Sequence, residues 1–409
     1  MLRFSRVAWL AVLVPPLFLL LPCAIGCGGS VRSTPGDGGS TRSADAARPT
    51  SDATVKSPTP DSGSTRVVDA AGPPAEAQAP EAASPPCTTV ADSCLYTLAS
   101  GQDSPSSLAV TQGTLYWTDE HAGTVMKVPT AGGTPVTVVA KAQQGISAGP
   151  GNALPTRVGP LFVYAPTIYW WAVSDTLTVA HSCPSGGPCD ESPGAWWPMT
   201  ASLSGGSPAS LGLIMSGGPA PSPMSGVAAN SDGAFFASPG TWVIGQDTAE
   251  QGSGSPFGLA CDTHTIFWTD RSAGTVTSAS TAAGGVGTNT TLATGQADPS
   301  LLALDADSLY WTNAGDGTVM KMPKAGGATV TVAQGQTSPY GIAVSSSGVY
   351  WTDQAGTVMK APQDAGAPVT LASGQPTPYA VALDDASVYF TTYVANGSVM
   401  KLTEGCSCP

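Results

Sequence analysis

Few residue types able to do chemistry occur in this sequence, and their spacing narrows the options further. There are three histidines, His121, His181 and His264, and nine cysteines. No two histidines are close enough in sequence to form a metal-binding pair, and no three-ligand cluster of the zinc type is visible. Cys183 and Cys189 flank a Pro-Ser-Gly-Gly-Pro segment two residues after His181. They are read as a disulfide across a loop in preference to a metal site. No serine stands in a nucleophile elbow and no phosphate-cradling glycine loop occurs. The His, Glu and Arg set that a lyase or hydrolase needs is not assembled by sequence proximity. We therefore expect no catalytic residues, no metal and no cofactor, and a chain that is not an enzyme. The alternative is an extracellular lyase or hydrolase working in a central channel.

Two polar series recur at fixed phase. Asp119, Asp270, Asn313 and Asp353 each follow an aromatic-Trp-Thr triplet, and Lys127, Lys321, Lys360 and Lys401 each close a later apolar stretch. Both read as structural, the acids bonding to backbone and the lysines lying along the flanks of their elements. Aromatics after a proline, in Pro256-Phe257, Pro339-Tyr340 and Pro378-Tyr379, are assigned to loops beside a central channel. With Trp196 and Trp197 of a nearby insertion, they make a candidate ligand rim of Phe257, Tyr340, Tyr379, Trp196 and Trp197.

The elements that must position these residues follow from internal repetition. Tyr116-Trp117-Thr118-Asp119 returns as Phe267-Trp268-Thr269-Asp270, Tyr310-Trp311-Thr312-Asn313, Tyr350-Trp351-Thr352-Asp353 and Tyr389-Phe390-Thr391-Thr392. The last four begin 43, 40 and 39 residues apart. Each unit opens on a proline, runs through an apolar stretch to the aromatic motif, and continues to Gly-Thr-Val-Met-Lys or a variant. A glycine turn and a Val-Thr stretch close it. Four short strands in about 40 residues make one β-propeller blade. Two degenerate units, centred on Ile168-Tyr169-Trp170-Trp171 and Ala234-Phe235-Phe236-Ala237, fill the gap, the first carrying an insertion at about 174–197. The reading is an all-β propeller of four-stranded blades over residues 87–409. Seven blades are favoured, and six result if residues 142–255 form one blade.

The last blade lacks an outer strand. Leu95-Tyr96-Thr97-Leu98-Ala99-Ser100-Gly101-Gln102 closely copies Pro368-Val369-Thr370-Leu371-Ala372-Ser373-Gly374-Gln375. We expect this N-terminal strand to complete the C-terminal blade, so that the ring closes without an exposed edge. Cys87 and Cys94 flank the strand, Cys406 and Cys408 end its partner, and bridges between the two pairs would staple the seam, with connectivity left open. Cys261 occupies the slot of Val110, Leu304, Val344 and Leu383, as a structural thiol.

The repeats, over about residues 95–404, resemble the YWTD propeller repeats of the low-density-lipoprotein receptor class. That resemblance implies aromatic residues wedged between blades and Thr and Asp bonded to backbone. No ligand site is carried over from it, because two blades are degenerate and no EGF-like modules flank the ring.

The N-terminus is an address. Arg3 and Arg6 precede an apolar run, Val7 to Leu21, too short to span a bilayer as a stable helix. Ala24-Ile25-Gly26-Cys27 resembles the bacterial lipobox, which implies a signal peptide over residues 1–26 and a lipid chain on Cys27. Gly28 in place of Asp implies, by the same resemblance, the outer membrane of the cell envelope. Residues 27–86 then form a lipidated cysteine and a disordered Ser, Pro, Ala and Gly tether. The net charge of −13, with only 11% charged residues, excludes the basic footprint of a nucleic-acid binder. The expected partners are the lipid bilayer, through Cys27, and an unknown protein or glycan.

Overall fold

The computed structural model describes residues 87–90, 93–141, 146–148, 151–153, 157–174, 195–211, 215–216, 226–238, 241–245, 248–249, 254–281 and 286–406. The signal segment, Cys27, the tether, Cys183, Cys189, Cys408 and His181 lie outside them. Among the described residues the structure is all β.

The repeat predicts four strands per unit, and the sheets follow it. In one unit Pro339–Ser345, Gly348–Asp353, Thr357–Ala361 and Val369–Ala372 pair antiparallel in chain order, from the innermost strand outward. The strand carrying the motif is second, buried on both faces, as its continuous apolar run requires. The innermost strands are Pro105–Thr111, Arg157–Tyr164, Val227–Asn230, Pro256–Cys261, Pro299–Leu304, Pro339–Ser345 and Pro378–Leu383. They touch in that order round the ring, and the last touches the first. Residues of the two degenerate units fall into separate sheets, one built on Arg157–Tyr164 and Thr167–Ser174, the other on Val227–Asn230 and Gly233–Ser238.

Apolar clusters sit between neighbouring sheets. Tyr310 and Val319 of one sheet pack with Ile342, Val349 and Trp351 of the next. The motif threonine ties the same seam: Thr352 Oγ1 accepts from Gly341 N at 2.9 Å and donates to Tyr379 O at 2.6 Å, on the neighbouring innermost strand. Thr312 donates likewise to Tyr340 O at 2.8 Å. The motif tryptophan is held by a glutamine on or just after the outer strand of the preceding unit, in the pairs Trp311–Gln296, Trp351–Gln336 and Trp117–Gln102 at 2.9–3.0 Å. Asp353 accepts from the backbone of Thr337, Ser338 and Ala355. Lys321, Lys360 and Lys401 each place the ammonium 5.1–5.9 Å from the ring centre of the cross-strand tyrosine, Tyr310, Tyr350 and Tyr389. Asp353, Lys321, Lys360 and Lys401 thus serve the fold.

The ring closes as the copied segment implies. Ser93–Asp103 pairs antiparallel with Ala395–Glu404, Leu95 opposite Leu402 and Tyr96 opposite Lys401. Cys94 and Cys406 are bridged, 312 residues apart, and Cys87 is also disulfide-bonded. Cys261 keeps the slot expected of it: it pairs with Ile266 as Leu304 pairs with Leu309, is half-buried, and its thiol donates to Ala229 O at 3.1 Å.

Candidate functional site at the channel mouth

In a ring of near-copies, function falls where the copies diverge. Two positions per blade do so. The residue after the opening proline is Ser106, Phe257, Ser300, Tyr340 or Tyr379, and the residue after the motif is Glu120, Arg271, Ala314, Gln354 or Tyr393. Proline and motif end pair across the first two strands, for example Pro339 with Asp353 and Pro378 with Thr392, so both positions share one end of the blade. The ladder slips just after the proline in each of these blades, freeing the next residue from regular pairing. A single backbone bond pins the second position everywhere: the N–H groups of Glu120, Arg271, Ala314, Gln354 and Tyr393 donate to the carbonyls of Ser104, Ser255, Asp298, Ser338 and Thr377. The scaffold fixes each Cα and leaves the side chain to vary.

These side chains converge. Phe257 lies 6.0 Å, centre to centre, from Tyr340, which lies 4.2 Å from Tyr379, which stacks at 4.7 Å on Tyr393, with His121 6.4 Å beyond. Phe257 reaches Tyr340 past the intervening blade, where the equivalent residue is only Ser300. The hydroxyls of Tyr340 and Tyr379 are hydrogen-bonded to each other. Arg271 caps one end of this ladder, its guanidinium 4.1 Å from the Phe257 ring centre. It is held there by Asp298 at 2.8 Å and Ser300 at 3.1 Å. Polar groups gather at the other end. Arg157 and Glu120 pair at 3.4 Å, both largely buried. Ser104 Oγ and His121 Nδ1 share a 3.0 Å hydrogen bond, with Asp103 3.6 Å from the same nitrogen.

Burial sets the electrostatics. It raises the Glu120 carboxyl above its ordinary value, against hydrogen bonds from Tyr393 and Ser106 and the charge of Arg157. Burial first, and then the charge of Asp103, push Asp119 up to about 6. Burial also raises Tyr340, Tyr379 and Tyr393, with the charge of Glu120 acting in the same direction on all three. These phenols stay protonated at physiological pH and serve as donors.

The structure corrects three expectations. Phe257, Tyr340 and Tyr379 lie on innermost strands and not on loops; Phe257 and Tyr340 are nearly enclosed, while Tyr379 is half-buried. Trp196 and Trp197 lie on the strand Ala195–Ser202, and Trp197 is fully buried among Trp170, Ala172 and Met199. Strand alternation, opposite Ala172, turns Trp197 into the core and removes it from any rim. Thirdly, Glu120, His121 and Arg157 do come together, because the ring brings the start of a later blade against the motif end of the first. Glu120, Arg157, Arg271 and Tyr393 were missed for that reason. The signal for all but Arg157 was the divergence of phase-matched positions.

At the opposite end of the blades, His264 Nδ1 meets Asp232 at 2.8 Å, and Thr281 donates to the same carboxylate oxygen. Among the described residues no group of three His, Cys, Asp or Glu is placed to hold a metal ion, and no helix is long and apolar enough to cross a membrane.

A ring of small four-stranded sheets round a channel, with variable side chains at its mouth, defines a β-propeller. The chain matches no family model and no curated protein. Among solved structures it is similar to a catalytically inactive virginiamycin B lyase from Staphylococcus aureus with quinupristin. That similarity is 13% identity and a TM-score of 0.53, over 76% of this chain and 99% of that one. It is also similar to BamB from Moraxella catarrhalis, at 11% identity and a TM-score of 0.43, over 79% and 95% of the chains. A chain of a nidogen/laminin complex gives 15% and 0.39, over 68% and 83%. At these identities the likeness to the lyase shows the fold alone.

Proposed function

We propose that this protein is an exported, lipid-anchored β-propeller of seven blades that acts as a binding module, taking a protein or glycan partner at its channel mouth. The observation that carries the binding reading is the ladder of Phe257, Tyr340, Tyr379 and Tyr393 with its charged ends. It occupies the positions that the repeat leaves free, and aromatic surface with a few convergent polar groups is the usual make-up of a recognition site. The blade count is supported by the closed succession of innermost strands. The YWTD-type assignment is supported by the threonine bridges between blades. Anchoring is supported by the lipobox-like segment ending in Cys27, and a cell-envelope location goes with it.

Intact-mass analysis and membrane fractionation of the wild type beside Cys27→Ala test the anchor. The expected result is a lipid-sized mass increment on the wild type and release of the variant into the soluble fraction. A soluble, unmodified wild type would remove the anchor and the spacer role of residues 28–86 together. For the mouth, a photo-crosslinking residue at Gln354 should trap the partner in cells, and Tyr379→Ala with Tyr393→Ala should abolish the crosslink. Trapping that ignores this double change would place recognition elsewhere on the ring.

One observation favours a second reading, a lyase or hydrolase in the channel: the grouping of Glu120, Arg157, His121 and Tyr393 supplies carboxylate, guanidinium, imidazole and phenol within one mouth. Unaltered recovery of the trapped ligand after incubation with the wild type would count against it.

A further inference from the structure

We propose that Tyr340 and Tyr379 are a site of oxidative modification, at which a one-electron oxidant joins the two rings by a carbon–carbon bond, and that Tyr393 is where the oxidation enters. The inference needs no ligand and goes beyond the binding-module reading.

The pair is placed for coupling. The two residues begin neighbouring innermost strands, one position after the opening proline, and their rings lie 4.2 Å apart, centre to centre, with planes at 33°. That is closer than most aromatic pairs approach. The two hydroxyls are hydrogen-bonded, so the rings converge toward their oxygens and bring the ortho carbons beside those oxygens together. A phenoxyl radical carries much of its unpaired spin on the ortho carbons, and radical pairs couple there. Other tyrosines of the repeat are held differently: Tyr310 and Tyr389 donate to Asp305 and Asp384, both at 2.7 Å, and lie against lysines.

Burial sets the route. Tyr340 is only 5% exposed, so an oxidant in solution cannot reach its ring, and a radical formed there is shielded from a second protein molecule. The electron has to leave through the ladder. Tyr393, half-buried, stacks on Tyr379 at 4.7 Å with planes 24° apart, a contact across which an electron passes readily. A phenol that loses an electron also loses its proton and needs a base. Tyr393 has one: its hydroxyl bonds to Glu120, whose carboxyl is raised by burial and is the better proton acceptor for it.

The steps balance. The oxidant takes one electron from Tyr393, whose proton moves to Glu120. Tyr379 returns an electron to Tyr393, which recovers its proton from Glu120, and Tyr379 releases its own proton to water. Tyr340 then gives an electron and a proton to Tyr379 across the shared hydrogen bond. A second oxidation through Tyr393 makes Tyr379 a radical again, and the two radicals form one ortho–ortho bond. Each ortho hydrogen leaves as a proton and each oxygen regains one. In sum, two oxidant equivalents are each reduced by one electron, two protons go to solvent, and the strands Pro339–Ser345 and Pro378–Leu383 are tied covalently.

Photogenerated tris(bipyridine)ruthenium(III), a one-electron oxidant, tests this on the purified full chain, with peptide mapping of the monomer as the readout. The expected product joins the peptides of Tyr340 and Tyr379, lacks two hydrogens and shows dityrosine fluorescence. Tyr379→Phe should abolish it and Tyr393→Phe should slow its formation severalfold. Tyr96→Phe, which removes a half-buried phenol on the outer strand Ser93–Asp103, should leave the rate unchanged. A thermal melt of each variant confirms folding. Cross-linking chiefly between molecules or at other tyrosines, or an undiminished rate in Tyr393→Phe, would overturn the proposal. Either result is independent of whether the probe at Gln354 traps a partner, so the binding module stands or falls separately.

Discussion

Deletion of residues 88–100 is expected to leave a chain that no longer melts cooperatively at ordinary temperatures. The segment holds most of the strand Ser93–Asp103, whose partner Ala395–Glu404 would become a bare edge. Leu95 packs with Leu371, Met400 and Leu402, and Leu98 and Ala99 pack with Leu115, Trp117 and Val399. Two buried leucines contribute roughly 3–6 kcal/mol. The Cys94–Cys406 bridge spans 312 residues, and on the chain-entropy account such a closure contributes roughly 5 kcal/mol. Together these rival the 5–15 kcal/mol by which a typical domain is stable. Replacing Cys87, Cys94 and Cys406 by serine keeps the strand and removes only the restraint. It should cost about 2–5 kcal/mol and lower the Tm by roughly 3–8 °C. Near-UV circular dichroism melts distinguish the two variants, and an unchanged melt of the deletion would refute the closure.

The closure was legible because a strand that finishes a repeat must carry the repeat's own outer-strand sequence, and Leu95 to Gln102 does. It even delivers Gln102 to Trp117, as Gln296 and Gln336 serve Trp311 and Trp351. The same logic hid most of the site. Repetition reports what every blade needs, so proline, motif and lysine stood out, and the fold uses them. A side chain that serves the ring only once leaves no repeating trace. Glu120 and Tyr393 meet because the last blade lies beside the first, and no local pattern encodes that adjacency. Arg157 opens a degenerate blade with no proline to mark its phase. Trp197 misled for the opposite reason: beside a long insertion it reads as a loop residue, whereas its register opposite Ala172 places it in the core.

Scaffold and site share atoms. Carbonyls of two ladder residues, Tyr340 and Tyr379, accept the hydroxyls of Thr312 and Thr352 from the blade before. The bonds that close each seam therefore also set the backbone beneath the aromatic rings.

Thr352→Val tests that linkage. The substitution preserves shape but leaves Gly341 N and Tyr379 O without the hydroxyl between them, at a site with no solvent access. Each stranded group costs about 1–3 kcal/mol, so the loss should be roughly 2–6 kcal/mol, or about 3–9 °C in Tm. Thr352→Ser, which keeps the hydroxyl, should retain most of the stability, and Thr331→Val on an exposed outer strand should change little. Gly341→Ala attacks the same point sterically, since its new Cβ would meet Tyr379 O at 2.2 Å, and should cost at least about 1–3 kcal/mol. Because Thr352 holds the carbonyl of Tyr379, its valine variant should also perturb the near-UV signal of the stacked tyrosines before global unfolding. A melt and a tyrosine spectrum both matching the wild type would mean that apolar packing alone holds the seam and that the threonine bridge is incidental to it.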